Sequence, residues 1–219
     1  MANHTSLMEK EQSEVVSFSF LDGDITYIPN AFSSAEANTF LKLLINEIEW
    51  TQPTLKIFGK SFKQPRLSAW YADNNIPYTY SRFTQYGLAW EENLLKIKEK
   101  TQNITRSIFN SALVNYYRDG QDSMGWHSDN EPELGESPIL ASVSFGEPRK
   151  FNLKHKSDES LKESICLDHG SILLMSGNMQ KNWLHQISKS KKKMGPRVNI
   201  TFRRVDERTA SFIAKRNKL

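Results

Sequence analysis

The sequence predicts an α+β chain built around a β-sandwich, and three observations carry that prediction. Two amphipathic helical stripes occupy the first half of the chain. From about Ser111 onward the pattern changes to short alternating apolar runs at close spacing. No internal repeat and no Pro/Gly-rich linker divides the 219 residues, so one domain is expected over residues 15–219. Helices first and strands second is the α+β order.

Residues 1–14 are polar and are expected to form a disordered tail. Ser33 or Ser34 caps a helix running to about Glu49, with Phe40, Leu43, Leu44 and Ile48 on one face. Leu55 to Phe62 places apolar residues around Gly59-Lys60, the pattern of a β-hairpin tip. A second helix is expected over Leu88 to Lys100, with Trp90, Leu94 and Ile97 inward. Strands are expected at Ala112–Tyr117, Ile139–Phe145, Lys150–Leu153, Ser171–Met175 and Val198–Arg203. The charged stretch Lys154 to Glu163 reads as an exposed connection, with His155 inside it.

With 38% hydrophobic and 25% charged residues, the composition is that of a soluble globular protein. No apolar run reaches the roughly 18 residues of a membrane span. The N-terminus lacks the apolar core of a secretory signal, so an intracellular place, cytoplasmic or nuclear, is expected, with no membrane partner and a monomeric state. The lone Cys166 excludes an internal disulfide and reads as a small buried hydrophobe. A formal charge of +4 and a pI near 9.0 are compatible with a polyanionic partner without establishing one.

The chemistry-bearing residues cluster late. His127 and Asp129 are two apart, so in an extended segment they project side by side, and His185 is placed to add a third ligand from another strand. Two imidazoles and a carboxylate with open positions are the ligand set of a non-haem Fe(II) oxygenase. The same donors also suit zinc, and a bare His-x-Asp arises often by chance as ordinary surface or core residues. Arg197, Asn199, Thr201 and Arg203 share one strand face, while Val198, Ile200 and Phe202 share the other. That polar row is either a solvated face or a wall for a small dicarboxylate, which guanidinium groups pair with bidentately. Asn115 and Tyr117 repeat the spacing on an earlier strand and could add an amide and a phenol to the same wall.

Seven stretches in order resemble the AlkB-type nucleic-acid dealkylases, Fe(II)- and 2-oxoglutarate-dependent dioxygenases, over roughly Phe58 to Arg203. They are Gln64-Pro-Arg66-Leu-Ser-Ala-Trp70-Tyr71, Pro77-Tyr78-Thr-Tyr80-Ser, Asn115-Tyr-Tyr117, Trp126-His127-Ser-Asp129-Asn-Glu131-Pro, Ala141-Ser-Val-Ser-Phe-Gly, Leu167-Asp-His-Gly-Ser-Ile-Leu and Pro196-Arg197-Val-Asn199-Ile-Thr-Phe-Arg203. The resemblance implies a double-stranded β-helix (jelly-roll) core over about residues 108–205, N-terminal helices, and a substrate-lid hairpin region over about 50–85. It implies Fe(II) on His127, Asp129 and His185, with 2-oxoglutarate and O2 as cosubstrates. Arg197, Asn115 and Tyr117 would hold the far carboxylate, with Arg203 and Asn199 nearer the metal and Thr201 on the same wall.

The resemblance also implies oxidative demethylation of N1-methyladenine and N3-methylcytosine in DNA, releasing formaldehyde and succinate. Such bases are cationic, which suits aromatic faces and a carboxylate. Tyr78, Tyr80 and Trp70 are the candidate aromatic partners, Glu131 the carboxylate, and Arg66 a contact to lid or substrate. Glu131 as a turn residue, and Tyr78 or Trp70 as packing residues, are the bland alternatives. Ile57 and Phe58 at the hairpin tip resemble an apolar finger that wedges into a base stack, or are ordinary hairpin packing. The run Ser188 to Lys193 is either a phosphate contact or a solvated loop. RNA, or a protein side chain, is the alternative substrate within the superfamily, and a non-catalytic nucleic-acid-binding module is the alternative outside enzymes.

Overall fold

The structure, a computed structural model, describes residues 15–20, 22–57, 60–80 and 83–217. The expected disordered tail, residues 1–14, lies outside the described residues. In chain order the first elements are strands β1 (Val16–Phe20) and β2 (Gly23–Ile28), helix α1 (Ser34–Glu47), and a hairpin of β3 (Thr54–Ile57) and β4 (Lys60–Lys63). β5 (Leu67–Ala72), a second hairpin of β6 (Pro77–Tyr80) and β7 (Phe83–Tyr86), and α2 (Glu92–Thr105) follow. The remainder runs β8 (Ser111–Tyr117), β9 (Met124–His127), β10 (Leu140–Gly146), β11 (Arg149–His155), β12 (Lys162–Leu167), β13 (Ser171–Ser176), α3 (Met179–Asn182), β14 (Trp183–Ile187), β15 (Arg197–Arg203) and α4 (Glu207–Arg216).

A seven-stranded sheet has the order β1-β2-β13-β10-β15-β8-β5, and a four-stranded sheet the order β12-β11-β14-β9. All the pairings within them are antiparallel. From β8 to β15 the chain passes repeatedly between the sheets, which is the jelly-roll arrangement. One apolar core, including Leu140, Phe151, Leu153, Leu173 and Trp183, draws on both sheets. A second packs α1 and α2 on the large sheet through Ala37, Leu44, Leu94, Ile97, Val198, Ile200 and Phe202. Every residue of β15 is buried, so its period-two alternation divides the strand cleanly: apolar residues join the helix-side core and the polar row faces the other way. Gly146 lets β10 and β15 approach closely, because a Cβ at its φ of 96° would collide with the Pro196 carbonyl.

Several expectations hold. Ser33 caps α1 with a full capping box: its hydroxyl accepts from Glu36 N (3.3 Å), and its own N–H donates to Glu36 Oε2 (2.8 Å). The expected hairpin is present as the antiparallel pair β3 and β4, with Ile57 opposite Lys60. Others need correction. Strands precede the first helix, because β1 and β2 extend the large sheet. The second helix starts at Glu92 rather than Leu88: Leu88 N donates to Trp70 O (2.9 Å), which keeps that segment extended. Trp90 lies ahead of the helix, its Nε1 donating to Asp73 Oδ1 (2.5 Å). The stretch Lys154 to Glu163 is only partly a connection, since its ends belong to β11 and β12. His155 ends a strand, with Nε2 3.0 Å from Asp22 Oδ2. Cys166 is exposed, because the alternation of β12 turns Ile165 and Leu167 inward. β5, β6, β7, β9, β12, β14 and the last helix were not anticipated from periodicity; most are short. Among the described residues no helix is long and apolar enough to cross a membrane.

Candidate active site

β9 and β14 are neighbours in the small sheet, and their register sets His127 opposite His185. Two residues past the end of β9, Asp129 sets Oδ1 3.7 Å from His127 Nε2. One ligand atom from each of His127, Asp129 and His185 lies within 4.8 Å of the others. The imidazole centroids are 4.2 Å apart, and Phe151 stacks on His185 at 5.0 Å, which holds that ring. His127 Nδ1 is 2.9 Å from Gly125 O, so donating there leaves Nε2 as the lone-pair donor.

Burial keeps both imidazoles neutral, as metal ligands must be: it lowers His127, and it takes His185 to about 3 with help from the neighbouring ring. Burial pushes Asp129 up, but the Arg203 guanidinium outweighs it and holds the carboxyl below its usual range. Arg203 Nη2 donates to Asp129 Oδ2 at 2.8 Å. On the other side, the Asp129 N–H donates to Gln180 Oε1 (2.9 Å) from the turn that leads into β14. Three open-coordinated N and O donors of this kind fit a divalent first-row metal.

The polar face of β15 meets this triad. Asn115, Tyr117, Arg197, Asn199, Thr201 and Arg203 line one pocket with the three ligands, with about 480 Å³ of empty space including its open mouth. Arg197 is buried; Nη2 donates to Ser144 Oγ (2.9 Å), while Nε and Nη1 have no hydrogen-bond partner among the described residues. Arg203 likewise keeps Nε and Nη1 without a hydrogen-bond partner among the described residues. Burial pulls Arg197 down to about 10, so it still carries its charge at neutral pH. Two buried guanidiniums with unfilled donors are costly alone and match an anionic ligand with a carboxylate at each end. Asn199 is different: its amide hydrogens already go to Ser142 Oγ (2.7 Å) and Val143 O (2.9 Å), and its Oδ1 accepts from Thr201 Oγ1 (3.3 Å). It braces β10 against β15.

A second pocket of about 430 Å³ shares Leu113, Met124, Asp129 and Arg203 with the first and extends toward the hairpins, lined by Gln64, Arg66 and Tyr78. Arg66 Nε donates to Asn115 Oδ1 (2.8 Å), which ties the two pockets together. Trp70 is buried, donates to Ile76 O (3.0 Å), and stacks on Tyr78 at 4.5 Å. The Arg203 guanidinium lies 5.1 Å from the centre of the Tyr78 ring. Glu131 has a buried oxygen without a hydrogen-bond partner among the described residues, and burial together with Asp129 raises its carboxyl. Phe58 lies outside the described residues, as do the side chains of Ile57 and Tyr80.

Sequence reasoning passed over Ser142, Ser144, Gln64 and Gln180. The serines had a usable signal, polar residues at alternate positions of an otherwise apolar strand. Gln180 had none, because its partner is 51 residues away.

A model of the 2OG-Fe(II) oxygenase superfamily matches residues 24–203. The human alpha-ketoglutarate-dependent dioxygenase alkB homolog 3 is 40% identical over 186 residues, covering 81% of this chain and 64% of that protein. The human DNA oxidative demethylase ALKBH2 is 36% identical over 184 residues, covering 80% of this chain and 70% of that protein. The match to the alkB homolog 3 proteins thus spans less than two thirds of their length. The solved structure of OsALKBH1 superposes with a TM-score of 0.58 at 17% identity, covering 86% of this chain and all of that one, a likeness of fold.

Proposed function

Since the chain belongs to the AlkB-type branch of the 2OG-Fe(II) oxygenase superfamily, we propose that it is an oxidative demethylase of N-alkylated bases, N1-methyladenine and N3-methylcytosine, in DNA. The observation that carries this reading is the convergence of three neutral or anionic ligands on one point, backed by two buried guanidiniums with unfilled donors. Relatives whose names state DNA oxidative demethylation support nucleic acid as the partner.

His127, Asp129 and His185 would hold Fe(II), and Arg197 and Arg203 would seat 2-oxoglutarate. When bound, these groups and O2 supply the oxidation of an N-methyl carbon, with succinate, CO2 and formaldehyde leaving. The protein's work is positioning. Phe151 and Gly125 fix the two rings, Gln180 and Arg203 fix the carboxylate, and Ser144 aims Arg197. Burial excludes water and strengthens each of these contacts. Arg66 and Tyr78 would form the base side of the site, with Glu131 against Tyr78 and Trp70 stacked on it. A zinc hydrolase gives the two guanidiniums no task.

The test is formaldehyde release from oligonucleotides carrying each base, with Fe(II) and 2-oxoglutarate supplied and methylated RNA and peptides run alongside. Asp129→Ala should abolish 2-oxoglutarate turnover while oligonucleotide affinity stays within about twofold, because phosphate contacts dominate binding. Equal turnover in both proteins would defeat the metal assignment.

A further inference from the structure

Gln64, Arg66 and Ser68 are alternate residues leading into β5, and all three are buried and line the pocket beside the triad. They share one stretch of that pocket's lining. Arg66 is anchored on Asn115. The Gln64 backbone is pinned twice: its N–H donates to Pro53 O (2.9 Å) and its carbonyl accepts from Gln52 Nε2 (2.8 Å). Its side chain is another matter. It is 7% exposed, and its Oε1 is enclosed without a partner among the described residues.

Buried amides nearly always pair, and an orphan on a rigid backbone at a pocket wall is accounted for by a ligand that pairs with it. A carboxamide presents one donor and one acceptor side by side, and its terminal torsion is soft enough to turn either toward the ligand. The complement is a flat edge carrying an acceptor beside a donor. Adenine has that edge at N7 and the 6-amino group, where glutamine binds bidentately. Alkylation at N1 leaves those two atoms untouched. Cytosine alkylated at N3 keeps an amino donor with no ring acceptor next to it on the outer edge. Guanine offers two acceptors there.

We propose that Gln64 reads the N7 and 6-amino atoms of a flipped N1-alkyladenine, making that base the preferred substrate over N3-alkylcytosine. The inference rests on the base-dealkylation reading above and names the base it favours.

Three oligonucleotides test it, carrying N1-methyladenine, 7-deaza-N1-methyladenine or N3-methylcytosine, with kcat/KM from formaldehyde release in wild type and Gln64→Leu. In the wild type, removing N7 should lower kcat/KM about tenfold or more, the size of a lost bidentate pair. In Gln64→Leu, N1-methyladenine should fall by a similar factor, the 7-deaza base should cost nothing further, and N3-methylcytosine should change by less than about threefold. No 7-deaza penalty in the wild type overturns the inference, without reference to how well the variant folds. So does a penalty that persists in Gln64→Leu. If the wild type releases formaldehyde from none of the three, the dealkylation reading falls and this inference with it.

Discussion

Asp129 is gripped from opposite sides, its side chain by Arg203 and its backbone N–H by Gln180, and both contacts bridge distant parts of the chain. Gln180 is 1% exposed, so its carbonyl oxygen has no water to replace that bond. Gln180→Ala should weaken Co(II) or Mn(II) binding by about 10- to 100-fold, the range for residues that orient metal ligands. A titration of metal affinity reads this directly, and an unchanged affinity would remove Gln180 from the site. Arg197→Lys keeps the charge but loses the planar fork, so KM for 2-oxoglutarate should rise by about tenfold or more. A lysine enzyme with unaltered KM would mean that charge alone seats the cosubstrate. Alternation marked the polar face of β15 in the sequence. The bond from Asn199 to Ser142 was not visible there, because it depends on which strand lies alongside.

At the scale of elements, the turn joining β8 to β9 carries the ligand-bearing strand and is tied by Asp122. That carboxylate accepts from Arg118 N (2.9 Å), Nε (2.7 Å) and Nη2 (2.8 Å). Burial raises Asp122, yet these bonds outweigh it and its pKa ends below the usual value. A depressed carboxylate contributes stability above its unfolded pKa and loses it as pH falls through the folded one. Asp122→Asn should therefore cost about 1–3 kcal/mol at neutral pH, and the difference should shrink as the pH falls below the ordinary aspartate range. Urea midpoints across pH would show it; a constant gap at all pH values would contradict it. In the β3–β4 hairpin, Ile57→Ala with Phe58→Ala should lower turnover on duplex several-fold more than on single strands, if those residues help to open the stack, a step costing a few kcal/mol. An equal loss on both would return them to ordinary packing. The hairpin was legible because Gly59-Lys60 sits between apolar runs. The strands β9 and β14 were not, since four or five residues carry too little periodicity to stand out.

For the whole molecule, the +4 charge is unevenly placed, with Lys189, Lys191, Lys192 and Lys193 exposed on the connection between β14 and β15. That connection is anchored on the body, where Arg149 Nη2 donates to Ser188 O (2.7 Å) and Ser190 N to Gly120 O (2.7 Å). Replacing Lys191, Lys192 and Lys193 by Ala should flatten the log–log salt dependence of single-strand binding by about 2, at roughly 0.7 per phosphate contact. An unchanged slope would leave the run as solvated surface.

The amino-acid order alone determined which residues share a strand face, because side-chain direction repeats every two residues and needs no partner. It therefore exposed the polar row of β15 and the His127/Asp129 pair, and the ordered motifs pointed to the family. Only the tertiary structure decided that His185 closes the triad, that Arg203 holds Asp129 from 74 residues away, and that the Gln64 Oε1 has no partner among the described residues. Those facts depend on distance and burial. Both arise when strands far apart in the chain are brought into register and water is driven from between them.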